Sequence, residues 1–170
     1  MHAELIALRL VHVVGGILWV GFAAYNTFFV IPTLTELGPA GGPVMAGLQK
    51  RKMLVVLPAL AIITILAGLR LMMVVSANNG PGYFQSRMGQ TFGAGAVLAI
   101  IATVLGFGIV RPSMDKVGKL GAERAGASPD RQKAIDAEMG RLRARAQWSG
   151  NLSTWLLLAT AVAMAVARYI

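Results

Sequence analysis

The residue whose chemistry stands out is His12, which lies inside the apolar run of residues 10–21. An ionisable side chain is costly at membrane depth, so a histidine there is treated first as a functional group. Imidazole binds metal ions and haem iron, and it exchanges a proton near neutral pH. The chain has two histidines, and the other is His2. A site with two histidine ligands would therefore need His2 or a second chain.

Several residues share a helical face with His12, because steps of three and four residues return to the same side of an α-helix. This face holds Arg9, Gly16 and Trp19. The neighbouring Gly15 and Gly16 leave room beside the imidazole for a flat macrocycle or for a closely packed helix. Three roles for His12 stay open: a group hydrogen-bonded to a neighbouring span, a ligand of a tetrapyrrole or of copper, and a proton-transferring group.

Arg70 and Met72 are further candidates for contact with a bound group. Arg70 can extend its side chain to the membrane surface, pair with Glu4, or hold lipid phosphate or the carboxylates of a ligand such as haem. Met72 lies at the same level, and a methionine sulfur can bind haem iron or Cu(I), although methionine in an apolar helix is usually part of the core. The predicted cofactor-binding residues are His12, Arg9, Gly16, Trp19, Arg70 and Met72. Among them, His12 is the predicted metal ligand.

The composition is that of a membrane protein. The 170 residues are 56% hydrophobic and 14% charged, whereas a soluble domain carries about 25% charged residues. Four apolar segments are long enough to cross a hydrocarbon core of about 30 Å as helices. The predicted spans cover about residues 5–31, 53–75, 91–111 and 151–168. We therefore predict an all-α, polytopic membrane protein with a single domain over residues 1–170, built as a bundle of four transmembrane helices.

The distribution of charge predicts the orientation of this bundle. The first loop ends in Lys50-Arg51-Lys52 and the third loop, residues 112–150, is rich in lysine and arginine, whereas the second loop, residues 76–90, has only Arg87. Basic loops remain in the cytoplasm. Both termini and the second loop are therefore expected outside, on the periplasmic side. The same rule explains the net charge of +9 without a nucleic-acid partner.

The third loop also contains a predicted amphipathic cytoplasmic helix before the fourth span, over about residues 129–147. The tripeptide Ser128-Pro129-Asp130 supplies an N-cap, a proline at the first helical position and an acid in the first turn. The arginine-rich second half of this helix suits anionic lipid headgroups, so a bilayer with anionic lipids is an expected partner. Alternatively, the segment is an extension of the fourth span that packs on a neighbouring element.

Small residues in the third span allow another helix to approach closely. The pairs Gly95 and Ala99, and Ala102 and Gly106, have the spacing for such contact. The contact is expected inside the bundle or with a partner subunit, so the expected protein partners are further copies of this chain or other membrane subunits. No internal repeat is evident from the sequence.

The chain lacks the signatures of soluble enzymes. It has no cysteine, which excludes disulfides, thiolate metal sites and cysteine nucleophiles. The P-loop, the dinucleotide fingerprint, the nucleophile elbow and the HExxH motif are also absent. The spans contain no aspartate or glutamate, so a proton-coupled pump would lack its carboxylates. No catalytic residue is predicted, and a binding or structural role is favoured over catalysis.

The first span resembles the opening helix of a known group of small bacterial membrane proteins. Residues 8–21 read Leu-Arg-Leu-Val-His-Val-Val-Gly-Gly-Ile-Leu-Trp-Val-Gly, with a histidine followed a turn or two later by tryptophan. This pattern resembles the CopD-like (copper-resistance D) proteins and, more distantly, the HemJ-type protoporphyrinogen oxidases. The basic entry, mid-helix proline and Gly-Leu ending of the second span look similar too. The resemblance implies a four-helix bundle in the bacterial inner membrane, in which His12 corresponds to the histidine proposed to hold haem b.

One difference limits what this resemblance implies. The HemJ-type enzymes carry a lysine near the start of the third span, and the nearest cation here is Arg87, which does not readily lose its proton. The leading functional prediction is binding of haem b or a related tetrapyrrole near the outer leaflet. His12 would be the axial ligand, Trp19 would pack beside the ring, and Arg9 and Arg70 would contact the propionates. The alternatives are a non-catalytic accessory subunit of a larger membrane complex and, third, copper transport.

Overall fold

The structure, a computed structural model, describes residues 2–170 apart from the side chains of Pro39 and Leu54. Within this part of the chain there is no β-strand, and helices account for nearly every residue. The α-helices are α1 (His2–Tyr25), α2 (Ile31–Glu36), α3 (Gly41–Lys50), α4 (Met53–Asn79), α5 (Arg87–Leu105), α6 (Arg111–Arg124) and α7 (Pro129–Val166). The predicted all-α fold is confirmed.

Four helical stretches are long and apolar enough to cross a membrane, namely His2–Glu36, Val55–Asn79, Arg87–Arg124 and Pro129–Val166. Many of their large apolar side chains are exposed on the outside of the bundle, as Ile17 is at 66%. Such a surface suits lipid, because lipid does not penalise exposed apolar groups as water does. The chain is therefore a multi-pass membrane protein built as a four-helix bundle.

The bundle has two chemically different ends. One end carries α2, α3, α6 and the first half of α7, and we call it the basic end. The other carries both chain termini and the short turn Tyr83–Gln85, and we call it the terminal end. The basic end holds Lys50-Arg51-Lys52 and the lysines and arginines of residues 112–150. The two loops from which orientation was predicted therefore lie at the same end of the bundle.

A π-helical turn follows both α1 and α5, at Asn26–Val30 and at Gly106–Val110. A proline stands just after each turn, at Pro32 and Pro112. Proline lacks an N–H, and its ring clashes with the carbonyl four residues earlier in an α-helix. A wider turn, closed by bonds to the carbonyl five residues earlier, absorbs this conflict without ending the helix. The spans predicted to end at residues 31 and 111 therefore continue as α2 and α6.

The bundle consists of two helical hairpins that are built alike. α1 packs along α4 and α5 along α7, and the contacts between the two pairs are fewer. In each pair a glycine meets a threonine: Gly15 lies against Thr64, and the Gly95 carbonyl accepts a hydrogen bond of 3.2 Å from Thr160 Oγ1. The same number of residues separates Gly15 from Gly95, the first π turn from the second, and Pro32 from Pro112. The structure thus contains a repeat that the sequence did not reveal, because few side chains at equivalent positions are identical.

The two hairpins meet in a small core in the half of the bundle nearer the basic end. The buried side chains of this core are those of Trp19, Ala61, Ala99, Ala102 and Leu157. Across the hairpins, the hydroxyl oxygens of Thr27 and Thr154 lie 2.7 Å apart and share a hydrogen bond. Since Ala99 and Ala102 belong to this core, the small-residue face of the third span packs inside the bundle. Of the two predicted alternatives, the structure shows the internal contact.

α7 runs without interruption from Pro129 to Val166. The helix predicted over residues 129–147 and the span predicted over 151–168 are therefore one helix, and the structure shows the alternative in which the fourth span extends and packs on a neighbour. That neighbour is α6, with which α7 forms a second core of Val117, Leu120, Ile135 and Met139. Ile135 is 0% exposed. Residues 147–151 contain no proline, and packing at both ends outweighs the weak helix propensity of the glycine among them.

Candidate functional site

His12 lies on the seam between α1 and α4, in the half of the bundle nearer the terminal end. Its Nδ1 is 2.9 Å from the backbone carbonyl oxygen of Thr64. A carbonyl oxygen can only accept, so Nδ1 carries a proton and donates it. Neutral imidazole has one N–H, which leaves the lone pair on Nε2. Metal-binding histidines commonly have this arrangement, with one ring nitrogen held by a carbonyl and the other free for the metal.

The imidazole reaches this carbonyl because residue 68 is a glycine. A Cβ on Gly68 would lie 2.5 Å from His12 Cε1 and 2.7 Å from its Nδ1. Such contacts are too short for a real side chain, so any larger residue would push the ring away. The position of His12 therefore depends on the absence of a side chain on the neighbouring helix.

Gly15, one turn further along α1, packs closely against α4. A Cβ there would lie 2.5 Å from Thr64 Oγ1, and this hydroxyl is buried without a hydrogen-bond partner in the described part of the chain. The hydroxyl is covered by helix packing rather than directed at an open site. Gly16 differs, because only Thr64 Cγ2, at 3.8 Å, lies within reach of a Cβ built on it. Of the two uses predicted for the glycines, the structure shows close helix packing for Gly15, whereas a Cβ at Gly16 would make only an ordinary van der Waals contact with Thr64.

Arg9 and Arg70 have different surroundings. Arg9 is exposed, lies one turn from His12 towards the terminal end, and makes no ion pair within residues 2–170. Arg70 is paired: its Nη2 and Nε donate to Glu4 Oε1 at 2.6 Å and 3.0 Å. The pairing with a carboxylate is thus the alternative that the structure shows for Arg70.

Trp19 and Met72 also differ from each other. Trp19 lies on the face of His12 but two turns away, and its ring belongs to the core between the hairpins. It is not beside the imidazole, because α4 covers that face of α1. Met72 is half-buried and lies one turn beyond Gly68 on the same face of α4. Arg9 and Gly16 thus lie one turn from His12 on α1, Met72 lies one turn beyond its contact residue Gly68 on α4, and Trp19 is in the core between the hairpins.

The donor set of the chain is small. Among residues 2–170, no group of three or more His, Asp or Glu side chains is placed to hold a metal ion. A bare copper ion would need several donors from the chain. A haem brings four ring nitrogens for its iron and needs only axial ligands from the protein. One free imidazole nitrogen is thus better matched to a tetrapyrrole than to a copper ion.

Thr64 and Gly68 belong to the site but were not singled out from the sequence. Their signal is a pair of small residues four apart in a transmembrane helix, a spacing that marks close helix contacts. The spacing indicates that some helix approaches there. It does not indicate which helix, and only the pairing of α1 with α4 places His12 against these two residues.

The sequence matches no protein-family profile, and neither a curated protein nor a solved structure matches it. The role of His12 is therefore inferred from the contacts of its imidazole and from the charges around it.

Proposed function

We propose that this protein binds haem b or a related tetrapyrrole within the membrane, with His12 Nε2 as an axial ligand. The observation that carries the proposal is the hydrogen bond from His12 Nδ1 to the Thr64 carbonyl, at 2.9 Å. It fixes the ring plane and leaves the lone pair of Nε2 for a ligand. An axial ligand needs both properties.

The neighbours of His12 fit such a group in part. Gly16 has no side chain, and a Cβ there would meet only Thr64 Cγ2, at 3.8 Å, so this position is less crowded than Gly15. Arg9, exposed and without an ion pair in the described residues, is available to a propionate carboxylate. Met72 lies on the adjoining face of α4. Trp19 and Arg70 are engaged elsewhere. When bound, a haem would supply one-electron redox chemistry, and these residues would hold and orient it.

The other two candidate functions have weaker support. Copper transport would need several donors close together, and among residues 2–170 no group of three or more His, Asp or Glu side chains is placed to hold a metal ion. The accessory-subunit hypothesis relied on two docking surfaces, the small-residue face of the third span and the predicted amphipathic helix. The small-residue face packs on α7, and the apolar face of the predicted amphipathic helix packs on α6.

Absorption spectroscopy tests the proposal directly. The protein is extracted in mild detergent, its visible spectrum is recorded, and stripped protein is then titrated with hemin. We expect a Soret band in the fresh extract and saturable recovery of that band on titration. If neither sample shows the band, the protein does not bind haem. Other subunits that co-purify in fixed ratio with haem-free protein would favour the accessory-subunit hypothesis instead.

We also propose that the protein lies in the cytoplasmic membrane of a bacterium with its basic end inside, so that His12 is near the outer leaflet. The support is the gathering of both basic loops at one end, since lysine and arginine remain on the cytoplasmic side.

Thiol labelling tests this orientation, because the natural chain has no cysteine. A membrane-impermeant thiol reagent should label Ala3→Cys in intact cells from which the outer membrane has been removed. Gly126→Cys, in the turn between α6 and α7, should react only after the cells are broken. The opposite pattern would place His12 near the inner leaflet.

A further inference from the structure

One exposed face of α7 runs without a break from the basic end into the membrane. Residues three and four apart lie on the same side of a helix, and those on this face are Arg141, Arg145, Trp148, Leu152 and Trp155. We call this set the α7 stripe. All five side chains are exposed, with Trp148 at 65% and Trp155 at 60%. The stripe exists because α7 is a single helix, so the arginines and the tryptophans stay in register.

In the part of α6 and α7 far from the membrane, acidic and basic side chains form ion pairs between the two helices. Nearer the membrane, basic side chains are in excess. Three ion pairs join the two helices: Lys116 with Glu138 at 2.5 Å, Arg124 with Asp136 at 2.6 Å and Arg131 with Glu123 at 2.7 Å. The hydrogen bonds from Arg124 and Lys116 hold the pKa values of Asp136 and Glu138 below their usual range, so these acids remain ionised and neutralise the cations that they contact.

The two arginines of the stripe have no such partner. Arg141 and Arg145 make no ion pair within the described residues. Glu138 lines the same open groove and feels the positive charge of Arg141, but its carboxylate is bonded to Lys116. These guanidinium groups are therefore available to an anion. A phosphate group is the anion whose geometry a guanidinium matches best.

Along the stripe, cationic, aromatic and apolar side chains follow one another in the order that would match the phosphate, the headgroup boundary and the acyl chains of a phospholipid. At about 1.5 Å per residue, Trp148 lies about 4.5 Å and Trp155 about 15 Å from Arg145 along the helix axis. Cations thus come first, then a ring of the type that occupies the headgroup boundary, then apolar side chains at hydrocarbon depth. Phe28 of the first span meets Trp155 edge to face, with ring centroids 5.6 Å apart, and extends this apolar surface.

We propose that the α7 stripe binds one anionic phospholipid, with its phosphate against Arg141 and Arg145 and an acyl chain along Trp148, Leu152 and Trp155. Two guanidinium groups that form no ion pair within the described residues complement a headgroup of net negative charge. They discriminate against a zwitterionic headgroup, whose own ammonium offsets the phosphate. This site is independent of His12 and of any tetrapyrrole.

Quenching of tryptophan fluorescence by lipids brominated on the acyl chain tests the site. The full chain is reconstituted in vesicles of phosphatidylcholine that contain a small, equal fraction of brominated phosphatidylglycerol or of brominated phosphatidylcholine. Trp148 and Trp155 are open to these lipids, whereas Trp19 is buried and contributes an unquenched background. We expect brominated phosphatidylglycerol to quench with a preference of about fivefold or more, the effect of one or two arginines at an anionic surface.

Matched variants separate a built site from general charge attraction. The double variant Arg141→Gln/Arg145→Gln should bring the preference close to unity. The double variant Lys119→Gln/Lys133→Gln removes the same net charge from exposed positions of the same hairpin and should keep it. An equal loss in both variants would show a general surface effect and overturn the proposal. So would equal quenching by the two brominated lipids in the natural protein, or shielding of both tryptophans by a co-purified protein.

Discussion

Replacement of His12 by alanine is expected to abolish haem binding, whereas replacement of His2 leaves it unchanged. His12 offers the only imidazole within the spans predicted from the sequence, and its Nδ1 donates to Thr64, which leaves the lone pair on Nε2. Loss of a residue that merely orients a metal ligand lowers affinity by about 10–100-fold, so loss of the ligand itself should lower it at least as much. Hemin titration followed at the Soret band measures the difference between the two alanine variants.

His2→Ala is the matched control, because it removes the same group from an exposed position at the start of α1. Rescue adds a second measurement. In His12→Gly, free imidazole can enter the space left by the side chain and restore the band. If His12→Ala and the natural protein titrate alike, the ligand lies elsewhere and the hydrogen bond to Thr64 is only structural.

Addition of one methyl group at Gly68 is expected to destabilise the first hairpin and to weaken haem binding. The new Cβ would lie 2.5 Å from His12 Cε1, so the ring must move and its bond to the Thr64 carbonyl is lost. Overpacking of this kind costs about 1–3 kcal/mol. Unfolding in mixed micelles with increasing sodium dodecyl sulfate, followed by circular dichroism, measures the change for Gly68→Ala.

Two further glycines provide controls for this variant. Gly15→Ala meets Thr64 Oγ1 at 2.5 Å and should destabilise the hairpin to a similar degree, but it leaves the imidazole in place and should retain the haem spectrum. Gly21→Ala has no neighbour within 4 Å and should be neutral or more stable by up to about 1 kcal/mol, because alanine favours the helix. Equal stability of Gly68→Ala and Gly21→Ala would contradict the packing of α1 on α4.

The transmembrane helices were predictable because the signal for each is local. A run of apolar residues long enough to match the bilayer is sufficient, whatever lies elsewhere in the chain. The ends of these helices were less predictable. Pro32 and Pro112 mark an irregularity, but whether the helix stops or widens into a π turn depends on what packs beyond it. The same holds for α7, whose continuity into the hairpin depends on the core that it shares with α6.

The partners of the site residues were not predictable in the same way. Helical geometry placed Arg9, Gly16 and Trp19 on the face of His12, and this follows from residue spacing alone. Residue spacing does not predict which helix covers that face. Once α4 lies there, Trp19 packs into the core between the hairpins and Arg70 meets Glu4.

By itself, the sequence determined that this is a four-span helical membrane protein with one histidine in its apolar spans. Both properties depend on composition and on periodicity along a single helix. Only the tertiary structure decided that His12 donates to Thr64, that Gly68 makes room for its ring, and that Nε2 has no hydrogen-bond partner among residues 2–170. The physical reason is that lipid does not favour one apolar helix face over another. Which helices pack together is therefore decided by small residues that let two helices approach closely.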